Sequence, residues 1–195
     1  KAALAGADAA VNLVGILHQR GRQRFNEIHV TGARRVAEAA AEHGIKALVH
    51  VSALGASPGA PSLYARSKAA GEAAVLGAMA GAVIMRPSLM FGPEDSLFNR
   101  FAAIARLSPV VPVVHGSTRF QPVFAGDVAA AIAAAADGHA QPGAVYELGG
   151  PEIRTMAEIV DYVLAVTGRG RFPVRVAALL ARLQASILQL LPKPP

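Results

Sequence analysis

The chain has 195 residues, of which 53% are hydrophobic and 16% are charged, and this composition excludes a disordered protein. Because it contains no cysteine, disulfides and thiolate metal sites are excluded, and its six histidines lack the His-x-x-x-His spacing of a metal site. The net charge of +6 suits an anionic partner, but aromatic residues make up 5% and are not interleaved with basic ones, so we predict no nucleic-acid binding.

The first half of the chain alternates short apolar runs with helical patterns. Apolar runs closed by Gly, Ser or Pro are typical of buried parallel strands, and apolar residues at helical spacing between them predict helices. The order predicts an open parallel sheet with helices on both faces. In chain order, we predict a strand at 9–14, a helix at 26–43 capped by Gly44, a strand at 46–52, a helix at 63–79 and a strand at 82–86.

The second half is less regular and suggests a smaller, helix-rich domain. We expect residues 1–92 and 121–150 to form one domain, and 93–120 and 151–195 to form the other. The predicted elements here are a helix near 97–106, a Pro- and Val-rich stretch at 108–114, a helix near Asp127, a strand at 144–150 and a helix at 155–167. Arginines concentrate at 20–24 and at 168–175, and we interpret both segments as solvated basic patches.

Tyr64 and Lys68 stand one helical turn apart in the stretch SLYARSKAAGE, at the start of the helix that follows the second predicted strand. In a parallel sheet, ligands bind outside the carboxyl ends of the strands, where this helix begins. An ammonium beside a phenol favours the phenolate and lowers the phenol pKa from about 10. Such a pair can move a proton at a carbonyl or alcohol, so we predict Tyr64 and Lys68 as the catalytic candidates.

Three charged residues receive plainer interpretations. We expect Arg86 to form an ion pair at its strand end, and Asp127 to act as a cap or dipole partner near a helix start. We expect Glu72 to lie on a solvated helix face.

Six segments, in order over about 145 residues, resemble the extended and atypical short-chain dehydrogenase/reductases, the NAD(P)-dependent epimerase/dehydratase group. Within that group, the sequence is most similar to the dinucleotide-binding accessory subunits of respiratory complex I and their bacterial relatives. The resemblance implies a partial Rossmann-like doubly wound sheet with a small C-terminal substrate or partner subdomain. The segments are DAAVNLVG (8–15), HVSALGA (50–56), YARSKAAGE (64–72), RPSLMFGPED (86–95), QPVFAGDVAAAI (121–132) and YELGGPE (146–152).

The resemblance also implies a nicotinamide dinucleotide across the strand ends, with NADP(H) slightly favoured over NAD(H). The implied cofactor contacts are Leu13, Val14 and Gly15 on the adenosine side, Val51 and Ser52 at the second strand end, Tyr64, Lys68 on the ribose, and Pro87, Ser88, Leu89 and Met90 at the nicotinamide.

Two departures from the family pattern bear on activity. Active members carry a Ser or Thr after the strand-end serine, where this chain has Ala53, and an Asn where it has His29. A missing hydroxyl in an oxyanion-type site costs about 10²–10³ in rate. We therefore expect a mainly structural cofactor, with an active reductase or epimerase on a small carbonyl or nucleotide sugar as the alternative and a cofactor-free binding module as a third.

The glycine-rich loop of such folds, G-x-x-G-x-x-G, is absent from the sequence, and we expect it and its strands to precede Lys1. At the other end, 174–191 predicts a helix with Arg175, Arg182, Ser186 and Gln189 on one stripe. We expect it to lie on a membrane surface or on complex I subunits, or alternatively to cover its own domain. Together with the family resemblance, this helix implies a peripheral location on the cytoplasmic face of the inner membrane, or on the matrix side if the protein is mitochondrial.

Overall fold

The computed structural model of the chain describes residues 4–168, 170 and 172–176. It divides into two compact units, which we describe separately. The first contains the residues up to Ser88 and Val123–Gly149, and the second contains Leu89–Pro122 and the segment from Gly150 onward. None of the described helices is long and apolar enough to cross a bilayer.

The elements follow the predicted order closely. The helices are α1 (Ala33–Glu42), which a π-helical segment at Asn26–Gly32 precedes, α2 (Leu63–Ala78), α3 (Leu97–Leu107), α4 (Ala125–Ala136) and α5 (Met156–Val166). The strands are β1 (Ala9–Asn12), β2 (Ala47–Val51), β3 (Val83–Pro87), β4 (Met90–Phe91), β5 (Val110–Val114), β6 (Arg119–Phe120), β7 (Val123–Phe124), β8 (Val145–Leu148), β9 (Arg154–Thr155) and β10 (Phe172–Val176).

The first unit is built on a parallel sheet in the order β1-β2-β3-β8. Side chains alternate between its faces: Leu48 and Ile84 pack with α1 and α2, whereas Val49 and Met85 pack with α4. Because helices cover both faces, the strands are continuous apolar runs rather than alternating ones. The predicted α/β sheet is confirmed.

Helix α2 lies unusually close to the π-helical segment. A Cβ atom on Gly71 would stand 2.1 Å from the backbone oxygen of His29, a distance that real Cβ atoms essentially never show. Only glycine therefore allows this approach, which places α2 against the residues that precede α1. Further along, Gly44 has the positive φ of 66° that suits its predicted position after a helix.

The second unit contains a parallel pair, β5 and β10, packed with α3 and α5. Its core consists of Ala105, Val111, Val113, Val160 and Leu164. Helix α5 begins with a capping box, in which the side chains of Thr155 and Glu158 each accept a hydrogen bond from the other residue's backbone N–H group.

The predicted helix at 174–191 is wrong for its first three residues, which belong to β10. Val174 and Val176 are β-branched and suit a strand, and pairing with β5 satisfies the backbone there. The remainder of that predicted helix, with Arg182, Ser186 and Gln189, lies outside the described residues.

Candidate functional site

The carboxyl ends of β1, β2 and β3 are neighbours, because these strands are parallel and adjacent. The residues predicted at the strand ends therefore share one edge of the sheet. Leu13 and Val14 are exposed there, at 66% and 61%. Ser52 and Pro87 are buried, and Ser88 is half-buried and donates its N–H to Leu148. Leu89 and Met90, predicted to contact the same ligand, belong to the second unit.

Lys68 is a buried ammonium at this edge. It is 4% exposed, and its Nζ donates one hydrogen bond, of 2.8 Å, to the Val51 carbonyl oxygen. Burial lowers its pKa, and the nearby Glu72 carboxylate opposes that shift. An ammonium has three donors, so the described residues leave two for a ligand.

Gly15 lies beside the lysine. A Cβ atom at this position would stand 3.8 Å from Lys68 Nζ and 3.7 Å from His29 Nε2. These are ordinary contact distances, so a methyl group would fit, but it would cover both nitrogen atoms. The glycine thus keeps a side chain away from the ammonium at the end of β1.

Tyr64 is clamped by two other rings. Its ring centroid lies 6.0 Å from that of Phe25 and 5.6 Å from that of His29, both in edge-to-face arrangements. Burial raises the pKa of the Tyr64 phenol, so the predicted lowering by Lys68 is wrong. The surrounding structure removes water from the phenolate, and this desolvation raises the pKa. Tyr64 keeps its proton at neutral pH and can act as a donor.

His29 is the residue that connects this ring cluster to the sheet. Its Nε2 accepts a 3.0 Å hydrogen bond from the Ile16 N–H, so Nδ1 carries the proton and donates to Ser67 Oγ at 2.8 Å. Ser67 in turn donates to the Tyr64 carbonyl oxygen at 2.7 Å. Burial, and then the Lys68 charge, lower the pKa of His29, which suits this neutral tautomer. The imidazole therefore fixes the loop after β1 against the start of α2.

A second buried imidazole pairs across the sheet and was not predicted. Asn12 and His50 are register partners, and Asn12 Nδ2 donates to His50 Nδ1 at 3.1 Å while Asn12 Oδ1 accepts from the Val14 N–H. Burial, together with Lys68, lowers the pKa of His50 to about 4. The sequence did carry a signal for this pair, because Asn12 and His50 each interrupt an apolar run near its end. Buried polar groups are almost always hydrogen-bonded, so two of them on adjacent strands are expected to bond each other.

Glu72 is 6% exposed, so its predicted solvated position is wrong. It lies four residues after Lys68, on the same buried helix face. Its carboxylate accepts from Ser52 Oγ and forms two hydrogen bonds with Arg86, of 3.0 Å from Nε and 2.7 Å from Nη2. Arg86 also reaches Glu147, at 3.2 Å. The ion pair predicted for Arg86 is confirmed. The hydrogen bonds that its guanidinium donates to Glu72 raise the pKa of Arg86.

The remaining predictions concern a helix start and metal binding. Asp127 lies in the first turn of α4, where a carboxylate interacts favourably with the helix dipole, as predicted. Across the residues that the structure describes, no three His, Asp or Glu side chains gather as a metal site would require.

The second unit has a cavity of about 370 Å³, a size that suits a small molecule. Its walls are mainly apolar, including Phe91, Phe98 and Tyr162. The carboxylate of Glu158 at its edge is engaged in the capping box of α5, and Glu152 pairs with Arg154.

A parallel sheet whose strand ends meet a Tyr-x-x-x-Lys helix with a buried lysine defines a Rossmann-like domain of the dehydrogenase type. The sequence profile of the NAD dependent epimerase/dehydratase family matches residues 2–149, and the chain belongs to that family. The family predicted from the six segments is thereby confirmed.

Two curated relatives and one solved structure illustrate the similarity. Subunit 9 of the NADH dehydrogenase [ubiquinone] 1 alpha subcomplex of Arabidopsis thaliana mitochondria is 41% identical over 164 residues, which cover 83% of this chain and 41% of that protein. A ceramide reductase of Caulobacter vibrioides is 36% identical over 129 residues, covering 66% of this chain and 40% of that protein. UDP-glucuronic acid 4-epimerase of Bacillus cereus, solved with UDP-glucuronic acid and NAD, aligns with a TM-score of 0.77 at 18% identity, covering 91% of this chain and 65% of that one. The chain thus spans less than half the length of these curated relatives.

Proposed function

We propose that the chain belongs to a nicotinamide dinucleotide-binding protein of the complex I accessory-subunit type, in which the dinucleotide is mainly structural. The observation that carries the proposal is Lys68, a buried ammonium with two unfilled donors at the carboxyl edge of a parallel sheet. Such an ammonium is costly to bury unless a polar ligand pairs with it.

The residues around Lys68 fit the ribose end of a dinucleotide. The Val51 carbonyl oxygen fixes the ammonium at 2.8 Å, and Gly15 places no side chain over it. Leu13 and Val14 offer exposed apolar surface on the adjoining loop, suited to the adenosine side. When bound, a nicotinamide dinucleotide supplies hydride transfer. NADP(H) is proposed ahead of NAD(H), and parallel titrations with NADPH and NADH will decide between them.

The structural role rests on the two residues that follow β2. Ser52 donates its hydroxyl proton to Glu72, and the next residue, Ala53, has no hydroxyl. Neither residue can therefore donate a hydrogen bond to a substrate carbonyl, so the main polarising contact of an active site is missing.

Replacing Lys68 by methionine in the full-length protein should weaken dinucleotide binding by about 10- to 150-fold, the equivalent of a charged hydrogen bond of about 1.5–3 kcal/mol. Methionine keeps the apolar stem packed while removing the donors. NADPH fluorescence titration measures the change. Lys46→Met is the matched control, because that lysine is exposed and pairs only loosely with Asp8, at 3.8 Å. Equal dinucleotide affinity of Lys68→Met and the parent protein would refute the proposal.

Turnover on carbonyl and nucleotide-sugar substrates should stay far below the enzyme median of about 10 s⁻¹. The alternative, an active reductase or epimerase with Tyr64 as the acid, is favoured by the retained phenol with its raised pKa. NADPH oxidation is followed for the parent and for Tyr64→Phe. Turnover near the median that Tyr64→Phe abolishes establishes the alternative.

For partners, we propose subunits of respiratory complex I, and for location, a peripheral position at the cytoplasmic face of the inner membrane or at the matrix face in a mitochondrion. The support is similarity to a mitochondrial NADH dehydrogenase subunit, covering 83% of this chain. Co-purification of a tagged full-length protein with the complex tests the partners.

A further inference from the structure

The arginine-rich segment after β1 is an ordered hairpin rather than a loose loop. The Arg20 N–H donates to the Gln23 carbonyl at 3.0 Å, and the Gln23 N–H donates back to the Arg20 carbonyl at 2.9 Å. Gly21, with φ of 54°, provides the left-handed conformation that this two-residue turn requires. The hairpin therefore presents its side chains from a fixed backbone.

The base of the hairpin is fastened to buried residues. Gln19 Oε1 accepts a hydrogen bond of 3.1 Å from the Phe25 N–H, and the Phe25 ring stacks on His29 at a centroid distance of 5.3 Å. His29 itself is buried and accepts from Ile16 on the other side of the hairpin. The two ends of the segment thus meet on one imidazole.

The hairpin concentrates positive charge in the solvent. All eight residues of 17–24 are exposed, and within the described part of the chain Arg20, Arg22 and Arg24 form no ion pair. Between 16 and 30 the sequence has a single acidic residue, Glu27. By contrast, Arg34 of the same unit is paired with Glu38, at 3.6 Å.

An apolar side chain accompanies the arginines. Leu17, three residues before Arg20, is 75% exposed. Arginines next to an exposed leucine match the boundary of an anionic bilayer, where guanidinium groups meet phosphates and the apolar side chain enters the acyl region.

A bilayer fits this hairpin better than a protein does. A stable protein interface needs about 800 Å² on each partner with complementary shape, which an eight-residue hairpin does not offer. A fluid anionic surface requires only charge and a little apolar area. We propose that residues 17–24 attach the protein to membranes rich in anionic phospholipid, using Arg20, Arg22 and Arg24. This attachment does not involve the dinucleotide, so it can fail or hold independently of the dinucleotide binding proposed above.

Flotation of the full-length protein with vesicles tests the attachment. The parent protein should bind vesicles of phosphatidylcholine with one-third phosphatidylglycerol, but not pure phosphatidylcholine, and binding should weaken as salt rises. The triple variant Arg20→Gln, Arg22→Gln, Arg24→Gln should bind about 100-fold more weakly, from roughly a factor of five for each arginine. A triple variant of equal net charge, Arg34→Gln, Arg35→Gln, Lys46→Gln, should bind like the parent.

Each other result overturns the attachment. Undiminished binding of the hairpin variant places the membrane contact elsewhere in the chain. Equal loss in both triple variants shows a response to net charge alone. Equal binding to neutral vesicles removes the role of the arginines, and displacement by inorganic phosphate at constant ionic strength indicates a site for a free phosphate. Circular dichroism of both variants confirms that they are folded.

Discussion

Replacing Gly71 by alanine is expected to destabilise the first unit by about 3 kcal/mol or more, the upper range for overpacking a core. The added methyl group would lie 2.1 Å from the His29 backbone oxygen, and backbone atoms cannot move aside as a side chain can. Relief requires α2 to move away from the π-helical segment. That movement also separates Ser67 from His29, so the hydrogen bond between them should weaken as well.

Gly77 in the same helix provides the matched control. It is exposed and a Cβ there meets nothing within 4 Å, so Gly77→Ala should stabilise the helix by about 0.5–1 kcal/mol. Urea unfolding followed by circular dichroism gives both values. If the two alanine variants are equally stable, close helix packing is not the reason for glycine at position 71.

The sheet could be predicted because its central strands, β2 and β3, are buried on both faces. Runs such as ALVHV in β2 and VIM in β3 lack the alternation of polar and apolar residues that a half-exposed strand shows. Their continuous apolar character and short length therefore indicate buried strands. The Gly, Ser or Pro that closes each apolar run indicated where the strand ends. Because the strands are parallel, these ends lie at the same edge of the sheet. Tyr64 and Lys68 were recognisable because their spacing falls at the start of the helix that follows such an end.

The polar contacts of the site could not be predicted, because they depend on which face of each element is covered. Glu72 reads as an ordinary surface residue of a helix, but α2 is buried on the side that holds Lys68. The pKa of Tyr64 depends on burial between two rings that lie 35 or more residues earlier in the chain. The strand at 172–176 depends on pairing with β5, a partner about 60 residues away.

Lys68, Glu72 and Arg86 together connect the ligand edge to the middle of the sheet. Glu72 holds Ser52 at the end of β2 and Arg86 near the end of β3, while its charge opposes the lowering of the Lys68 pKa. A carboxylate bonded to a guanidinium and a hydroxyl keeps both groups in fixed positions. Glu72 therefore organises the site by fixing residues at the ends of two neighbouring strands.

Replacing Arg86 by methionine is expected to destabilise the first unit by about 3 kcal/mol, because it leaves a buried carboxylate without its main partner. The Glu72 side chain is 7% exposed and that of Arg86 is 23% exposed, so solvent cannot substitute for the lost guanidinium. Methionine retains most of the apolar volume, so the loss reports charge rather than packing. Urea unfolding again gives the free energy.

A second substitution distinguishes the effect of the unpaired Glu72 carboxylate from any other effect of Arg86→Met. Glu72→Gln removes the charge but retains an oxygen that accepts from Ser52, so the double variant should recover about 1–2 kcal/mol relative to Arg86→Met alone. Arg154→Met provides the exposed counterpart, because Arg154 and Glu152 are both more than half exposed. Its loss should be about 0–1 kcal/mol, as for other surface ion pairs. A double variant that is less stable than Arg86→Met would show that the buried charge is not what the guanidinium compensates.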